Sequence, residues 1–428
     1  MKKIDNIESF RQKHLIAESM TSREIQKMLY DKGKQTVLAL GVELLEQEVA
    51  ELCGRAFERK HCVLNHRGGS EKSSMIYDGA KYGFVRPRVR SKNGEVPLQC
   101  LAKLRDQDLM DEDISRRLIR GISTRNYEDV IAGYSSKIGV KKSSVSRAFI
   151  RVSKKDLEEI NHSDLSQYRF VGIAIDGVDF AGRVVVGVLG ITEDLQKVPI
   201  GIKEGDTENA EVVKDLLAEI RDRHFTLRCP KLFAVIDGSK ALRKGLIDVF
   251  GERVIIQRCW LHKLRNLQKY APDKYHKQIH WRMKKLMNIV SFDEAVKELA
   301  SFTKWLSEIS HECESSIKEA GMDLLTVHKL GLPKFLRRSL STTNMIESLI
   351  GVVRDKTGRV KNWRHYKSKT DDQIKRWVAS SIKSHKKKMR KLMGYKDAPN
   401  LIAALGGVLK IMETEGTPHR GLAIETRL

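Results

Sequence analysis

The apolar positions change their spacing several times along the chain, and each change predicts a different element. Up to about residue 50, Ile25, Met28 and Leu29, then Val37, Leu38, Leu44, Leu45 and Val49, fall at helical spacing. Between 60 and 102, Gly and polar clusters (HRGGSEKSS, SKNGE) separate short runs such as Tyr82–Arg90, which predicts a small β-rich or irregular patch. Helical patterning returns over 111–160. Within it, residues 127–152 read YEDVIAGYSSKIGVKKSSVSRAFIRV. An apolar-periodic helix ending near Gly139, a tight turn and a second helix from Ser143 or Ser144 give the layout of a helix-turn-helix.

From about 168 the texture is that of a sheet. Phe170–Ile175 (FVGIAI), Arg183–Ile191 (RVVVGVLGI) and Val198–Ile202 are apolar runs parted by Gly and Asp, an antiparallel meander. A helix over about Asn209–His224 carries Val212, Val213, Leu216, Leu217 and Ile220 on one face. Leu232–Ile236 (LFAVI) is a buried strand, Lys240–Phe250 a helix and Arg253–Ile256 a fifth strand. The order βββαβαβ predicts an α/β protein with a mixed sheet covered by helices, and is the ribonuclease-H-like pattern. Residues 260–335 are helical in pattern and rich in Lys and His. Helix resumes over Ser341–Arg354 and runs on as a basic helix to about Met393, and Gly394–Leu428 has no assignable pattern. The expected division is 1–165, a mainly helical region with the helix-turn-helix; 166–258, the first part of the sheet core; 259–335, an all-helical insertion; 336–380, the helix with Glu347; and 381–428, a basic tail.

Charge adds a partner. Lys and Arg total 79 against 55 Asp and Glu, a net charge of +24. So large a surplus favours a polyanion, because each neutralised phosphate releases counterions. The densest stretch, Arg354 to Lys391, holds fifteen Lys or Arg and only Asp355, Asp371 and Asp372 as acids, interleaved with Trp363, Tyr366 and Trp377. That composition suits a surface tracking DNA. Ser144, Ser146 and Arg147 open the second helix of the helix-turn-helix and can reach phosphates or base edges. Arg354, Arg359 and Arg364 are the corresponding candidates in the basic stretch. The six cysteines are scattered without a CxxC pair, and the polar N-terminus opens no apolar run, so free thiols and a cytoplasmic setting are expected. Cys53, Cys62 and His66 match no common zinc spacing. No apolar stretch reaches the roughly 20 residues needed to cross a bilayer.

Two carboxylates stand where strands should end: Asp176 after FVGIAI and Asp237 after LFAVI, each followed by Gly. An Asp-Gly after a strand is commonly a turn. Two at matching ends of buried strands, in so basic a chain, point instead to a cation site. Close carboxylates repel unless a cation lies between them, and hard oxygen ligands suit Mg²⁺ or Mn²⁺. Two such ions can clamp both oxygens of a phosphoryl transfer. Glu347, in STTNMIESLIG, is the candidate third ligand. Asp179 and Asp206 are competitors, although Asp206 or Asn209 could cap the next helix. In QRCWLHKLRNL (257–267), Cys259 and His262 share a helical face, and Arg258, Lys263 and Arg265 are candidate phosphate contacts. Trp260 could stack on an unpaired base or belong to the core. Ser341, Thr342 and Asn344 either orient a strand near Glu347 or cap its helix.

These residues resemble a known family, the mutator-type bacterial insertion-sequence transposases with DDE catalytic carboxylates. The similarity is carried by Phe233–Leu267, with Cys259-x-x-His262 like the family's signature after the second Asp, by LGI…EGDTENAE, by GISTRNYED at Gly121–Asp129 and by TTNMIES at Thr342–Ser348. The resemblance implies that Asp176, Asp237 and Glu347 are the DDE triad, in a ribonuclease-H-like core broken by a helical insertion. It also implies that the N-terminal region binds terminal inverted repeats, that two Mg²⁺ ions serve cleavage and joining, and that paired DNA ends call for a homodimer or higher assembly. The presence of all three acids weighs against the alternative, a domesticated, non-catalytic DNA-binding derivative.

Overall fold

In the computed structural model, which describes residues 20–55, 64–78, 80–127, 130, 141–180, 182–205, 209–360, 363 and 372–407, the run FVGIAI opens the central strand of a five-stranded sheet. The chain divides into two compact units, Met1–Leu157 with Lys356–Lys361, and Glu158–Asp355 with Asn362–Leu428.

In the first unit, α1 (Ser22–Cys53) starts from a capping box in which Thr21 and Glu24 satisfy each other's backbone N–H groups. The patch after it is an ordered antiparallel sheet of β1 (Asn65–Tyr77), β2 (Ala80–Ser91) and β3 (Gly94–Val96). Leu45 and Val49 of α1 pack with Val89, Leu98 and Leu101. Short helices α2 (Gln99–Leu104) and α3 (Gln107–Ile119) follow. Helix α4 (Lys142–His162) is the second helix of the expected helix-turn-helix. The turn and most of the first helix lie outside the described residues.

The second unit holds β4 (Phe170–Phe180), β5 (Arg183–Thr192), β6 (Lys197–Gly205), β7 (Leu232–Ile236) and β8 (Val254–Arg258), in the sheet order β6-β5-β4-β7-β8. The β4–β5 and β5–β6 pairs are antiparallel, while β4–β7 and β7–β8 are parallel. All five residues of β7 are buried, as a parallel strand covered on both faces requires. Helices α5 (Ala210–Asp222) and α6 (Lys240–Phe250) cover one face through Val213, Leu216, Leu217, Ile220, Leu242 and Leu246. Asn209 caps α5 by accepting from Val212 N, at 2.9 Å. The competing Asp206 lies outside the described residues. Gly172 lets β4 approach β7, since a Cβ there would stand 2.7 Å from Phe233 O.

The helical segment after β8 comprises α7 (Trp260–Tyr270), α8 (His276–Asn288), α9 (Phe292–Ser307) and α10 (His311–Ala320), with a core of its own that includes Leu267, Ile279, Phe302 and Ile317. It returns through α11 (Thr326–Lys329) and α12 (Lys334–Leu340) to α13 (Asn344–Thr357). Buried polar groups pin that return to the edge strand. Gln257 Nε2 donates to Leu324 O (3.1 Å), Gln257 Oε1 accepts from Val327 N (3.0 Å), and Thr326 Oγ1 donates to Ile256 O (2.6 Å). Beyond, α14 (Gln373–Lys386) and the short α15 (Ala398–Ala404) complete the described chain. Among the described residues no helix is long and apolar enough to cross a membrane.

Candidate active site

Strand β4 departs from the expectation that Asp176 ends a strand. It continues to Phe180, pairing only with β5, and Asp176 lies within it. What ends there is the neighbour. The parallel register pairs Ala174 with Val235, so two residues further on Asp176 comes level with Asp237, just past the end of β7. Alternation along β4 also separates the two acids of IDGVDF. Asp176 and Val178 are buried, whereas Asp179, an odd number of residues away, turns to the opposite face and is exposed.

The third acid arrives from the far side of the helical segment. Glu347 stands in the first turn of α13, directed by Thr343 immediately before it. Thr343 Oγ1 lies 2.7 Å from Glu347 Oε1, 3.1 Å from Cys259 Sγ and 3.2 Å from His262 Nδ1. Arg265, on the same face of α7, reaches Glu347 Oε2 at 3.3 Å. Cys259 follows β8 directly and its N donates to Ile236 O at 2.8 Å, the residue before Asp237. The Cys-x-x-His spacing therefore links the sheet edge to the Glu347 helix.

The electrostatics fit one shared pocket of charge. Asp176 is 6% exposed. Burial pushes its carboxyl up to about 7; the positive His262 opposes this, while Asp237 and Glu347 add to it. His262 is raised to about 9, first by its hydrogen bond with Cys259, against the effect of burial, with Asp176 and Glu347 contributing. For Cys259, burial favours the neutral thiol, but hydrogen bonds with His262 and Thr343 outweigh it and lower the thiol. Donor atoms of Cys259, His262 and Glu347 all lie within 4.8 Å of one another. That set mixes a soft sulfur with nitrogen and oxygen, and Thr343 already bridges its members. Asp176, Asp237 and Glu347 do not form so close a group among the described residues, but their oxygen-only chemistry is the better match to a hard divalent cation.

Sequence comparisons give the family. A family model described as Transposase, Mutator family, matches residues 10–372. The chain belongs to the Mutator family of transposases. Among relatives, the transposase for insertion sequence element ISRM5 of Rhizobium meliloti (strain 1021) is 24% identical over 338 residues, 76% of this chain and 82% of that protein. The transposase for insertion sequence element IS6120 of Mycolicibacterium smegmatis is 25% identical over 58% of this chain and 77% of its own length. That for IS1201 of Lactobacillus helveticus is 26% identical over 64% and 75%.

Not every residue expected to meet DNA is free to do so in this family member. Arg258 and Lys263 are 5% and 3% exposed and both bind Glu319, at 2.7 and 3.1 Å. Trp260 is 1% exposed and donates Nε1 to Leu324 O at 2.9 Å. The geometry corrects the phosphate-contact readings of Arg258 and Lys263, which an ion pair occupies, and puts Trp260 in the core, the second of its two readings. Arg265, Asn344, Arg354 and Arg359 are exposed, Ser144 and Ser146 are half-buried, and Arg147 is exposed. Ser144 and Arg147 line a cleft with Lys81 and Arg151. Arg364 lies outside the described residues, as does Cys62. Cys53 and Cys100 are free thiols. Sequence reasoning missed Thr343 and Glu319. A Thr directly before an acidic helix start was a signal for the first. Nothing local marked the second, 61 residues from Arg258.

Proposed function

We propose that this chain is the transposase of an insertion sequence, cutting DNA at the element's terminal inverted repeats and joining the freed ends to target DNA with Asp176, Asp237 and Glu347 as its catalytic carboxylates. The observation that carries the reading is the convergence of three acids from β4, β7 and α13, with Asp176 buried beside the other two. The sheet order, with the antiparallel meander on one side of β4 and parallel strands on the other, supports a ribonuclease-H-like core. Residues 259–335 are then the helical insertion within it, and residues 1–165 the end-binding region. Synapsis of two ends calls for a dimer or larger assembly.

The three carboxylates would hold two Mg²⁺ or Mn²⁺ ions, which supply Lewis-acid polarisation of the phosphodiester and a more acidic attacking hydroxyl. The chain's own residues do the positioning. Thr343 fixes one oxygen of Glu347 and Arg265 steadies the other. His262, held cationic by Cys259 and the acids, offsets the negative charge gathered around Asp176. No side chain has to act as a covalent nucleophile.

The test is strand cleavage and strand transfer on duplexes carrying the element's own ends, comparing wild type with Asp237→Asn in Mg²⁺. Activity that disappears in the variant while end binding persists supports the triad. Equal activity in both removes Asp237 from it. End binding without activity in the wild type replaces the enzyme by a non-catalytic DNA-binding derivative.

A further inference from the structure

Away from the carboxylates, behind Trp260, a cavity of about 290 Å³ gathers Lys284 from α8 with Lys334, Arg337 and Arg338 from α12. Among the described residues, no acid lines it. Arg337 is 6% exposed, yet its guanidinium makes no hydrogen bond or ion pair with any described residue. Other cations near the helical segment find acids: Lys285 pairs with Glu298, and Arg258 at the end of β8 and Lys263 of α7 pair with Glu319. The Arg337 nitrogens are not among the fully enclosed, unpartnered polar atoms, so they face the cavity, and a guanidinium so little exposed and without a counterion favours a bound anion there. Burial alone holds Arg337 below its ordinary value, with no acid to oppose it. The floor adds no charge. His328 stacks on Trp260 at 5.7 Å, and burial, then Arg337, pulls it down to about 4 against the backbone groups of Met287, Leu286 and Ile289, leaving the ring neutral.

We infer that this cavity is a phosphate site for the DNA backbone, with Arg337 as the buried fork and Lys284, Lys334 and Arg338 at its rim. A guanidinium presents paired N–H donors to two phosphate oxygens, and exposed lysines can follow the strand to either side. Ser341 also lines the cavity, and its carbonyl accepts from Trp260 N at 3.0 Å. Two residues later Thr343 directs Glu347. The site therefore holds a phosphate on the same frame that sets the third catalytic acid, and anchors DNA at a fixed offset from it. The inference rests on the DNA-processing role proposed above.

The experiment uses the full chain and a labelled duplex of about 30 base pairs of arbitrary sequence, with affinity measured across a range of NaCl concentrations. Arg337→Gln is one variant. The double change Lys334→Gln/Arg338→Gln alters exposed positions only, which keeps the test independent of core folding. A second double variant, Lys297→Gln/Lys304→Gln, removes the same charge from exposed positions of α9 outside the cavity. The expected result is that Arg337→Gln flattens the slope of log affinity against log salt by about 1 and the rim double by about 2, while the α9 double leaves it nearly unchanged. Equal slopes for the rim and α9 doubles, in a wild type that binds DNA, overturn the phosphate site alone. A wild type that does not bind the duplex overturns the proposed function, and the DNA assignment with it. Inorganic phosphate that raises the melting temperature of wild type but not of Arg337→Gln, with DNA slopes unchanged, makes this a small-anion site and also overturns the DNA assignment.

Discussion

Replacing Asp176 by Asn should stabilise the protein in the absence of divalent metal, and should do so only at neutral and alkaline pH. Asp176 is buried, and burial, with Asp237 and Glu347 nearby, lifts it to about 7 despite His262. An unperturbed Asp titrates near 4, and at about 1.4 kcal/mol per pH unit the difference is about 4 kcal/mol. The folded state binds the proton more tightly than the unfolded one. Stability from this group is therefore complete below about pH 4, falls as pH rises from 4 to 7, and stays lost above. Asn has the carboxylate's shape without its charge and can still accept from Gly177 N, now 3.0 Å from Asp176 Oδ1. An unmatched amide N–H₂ costs about 1 to 3 kcal/mol, so the net gain at pH 8 is about 1 to 3 kcal/mol. Thermal melts of both proteins in EDTA, from pH 4.5 to 8.5, give the comparison. Because the amide cost does not vary with pH, Asp176→Asn should melt at or below wild type near pH 4.5, the two curves should cross as pH rises, and the variant should melt higher by up to several degrees at pH 8. Mg²⁺ should raise the melting temperature of wild type at pH 8 and close the gap. A difference that does not vary with pH, or a variant less stable than wild type at pH 8, would refute the view that three crowded carboxylates strain this fold.

Three further outcomes follow from the same geometry. Thr343→Val removes the hydroxyl between Glu347, Cys259 and His262 and should cost about 1 to 3 kcal/mol in a denaturant titration, with strand cleavage losing kcat more than KM; Thr343→Ser should restore both. Gly172→Ala forces a Cβ to 2.7 Å from Phe233 O and should destabilise by about 1 to 3 kcal/mol or more, read as a lower urea midpoint. Glu319→Gln leaves buried Arg258 and Lys263 without their counterion; because Glu319 itself is 40% exposed, the cost is about 2 kcal/mol, below that of a fully buried pair. Burial would raise Glu319, but Arg258 and Lys263 hold it at about 2, so this contribution persists at neutral pH and is lost as pH falls towards 2, where variant and wild type should melt alike.

The parts of the fold that were legible in the sequence are those where one face or both are uniformly buried. LFAVI reads as a strand because both faces of β7 are covered, and the helix over 209–224 because Val213, Leu216, Leu217 and Ile220 make one stripe. The same local signal misplaced Asp176 at a strand end. Beyond it, GVDF still alternates as half of a hairpin whose existence depends on β5. Pairing across the site was less legible still. Arg258 and Lys263 look like phosphate contacts in a basic chain, and only the fold brings Glu319 to them. Arg337, inside a short basic helix, has no local mark that separates a buried cation from the exposed Lys334 and Arg338 beside it.

The separation of Glu347 from the other acids poses a physical problem that Cys259 and His262 help to solve. About 110 residues lie between Asp237 and Glu347, and a connection so long adds closure entropy and gives no positional precision by itself. Precision comes from pins. Trp260 N donates to Ser341 O, Gln257 and Thr326 tie the returning segment to β8, and Cys259 Sγ lies 3.3 Å from Thr343 N and 3.1 Å from Thr343 Oγ1. Cys259 is one residue past β8 and Thr343 four before Glu347, so this contact measures the third acid directly against the sheet. A polarised sulfur suits that position because it accepts from Thr343 N and from His262, whose charge makes it a better acceptor, while the one Thr343 hydroxyl hydrogen goes to Glu347. The pair then works on Glu347 through Thr343 as a positioning device, and ties the start of that helix to the end of β8.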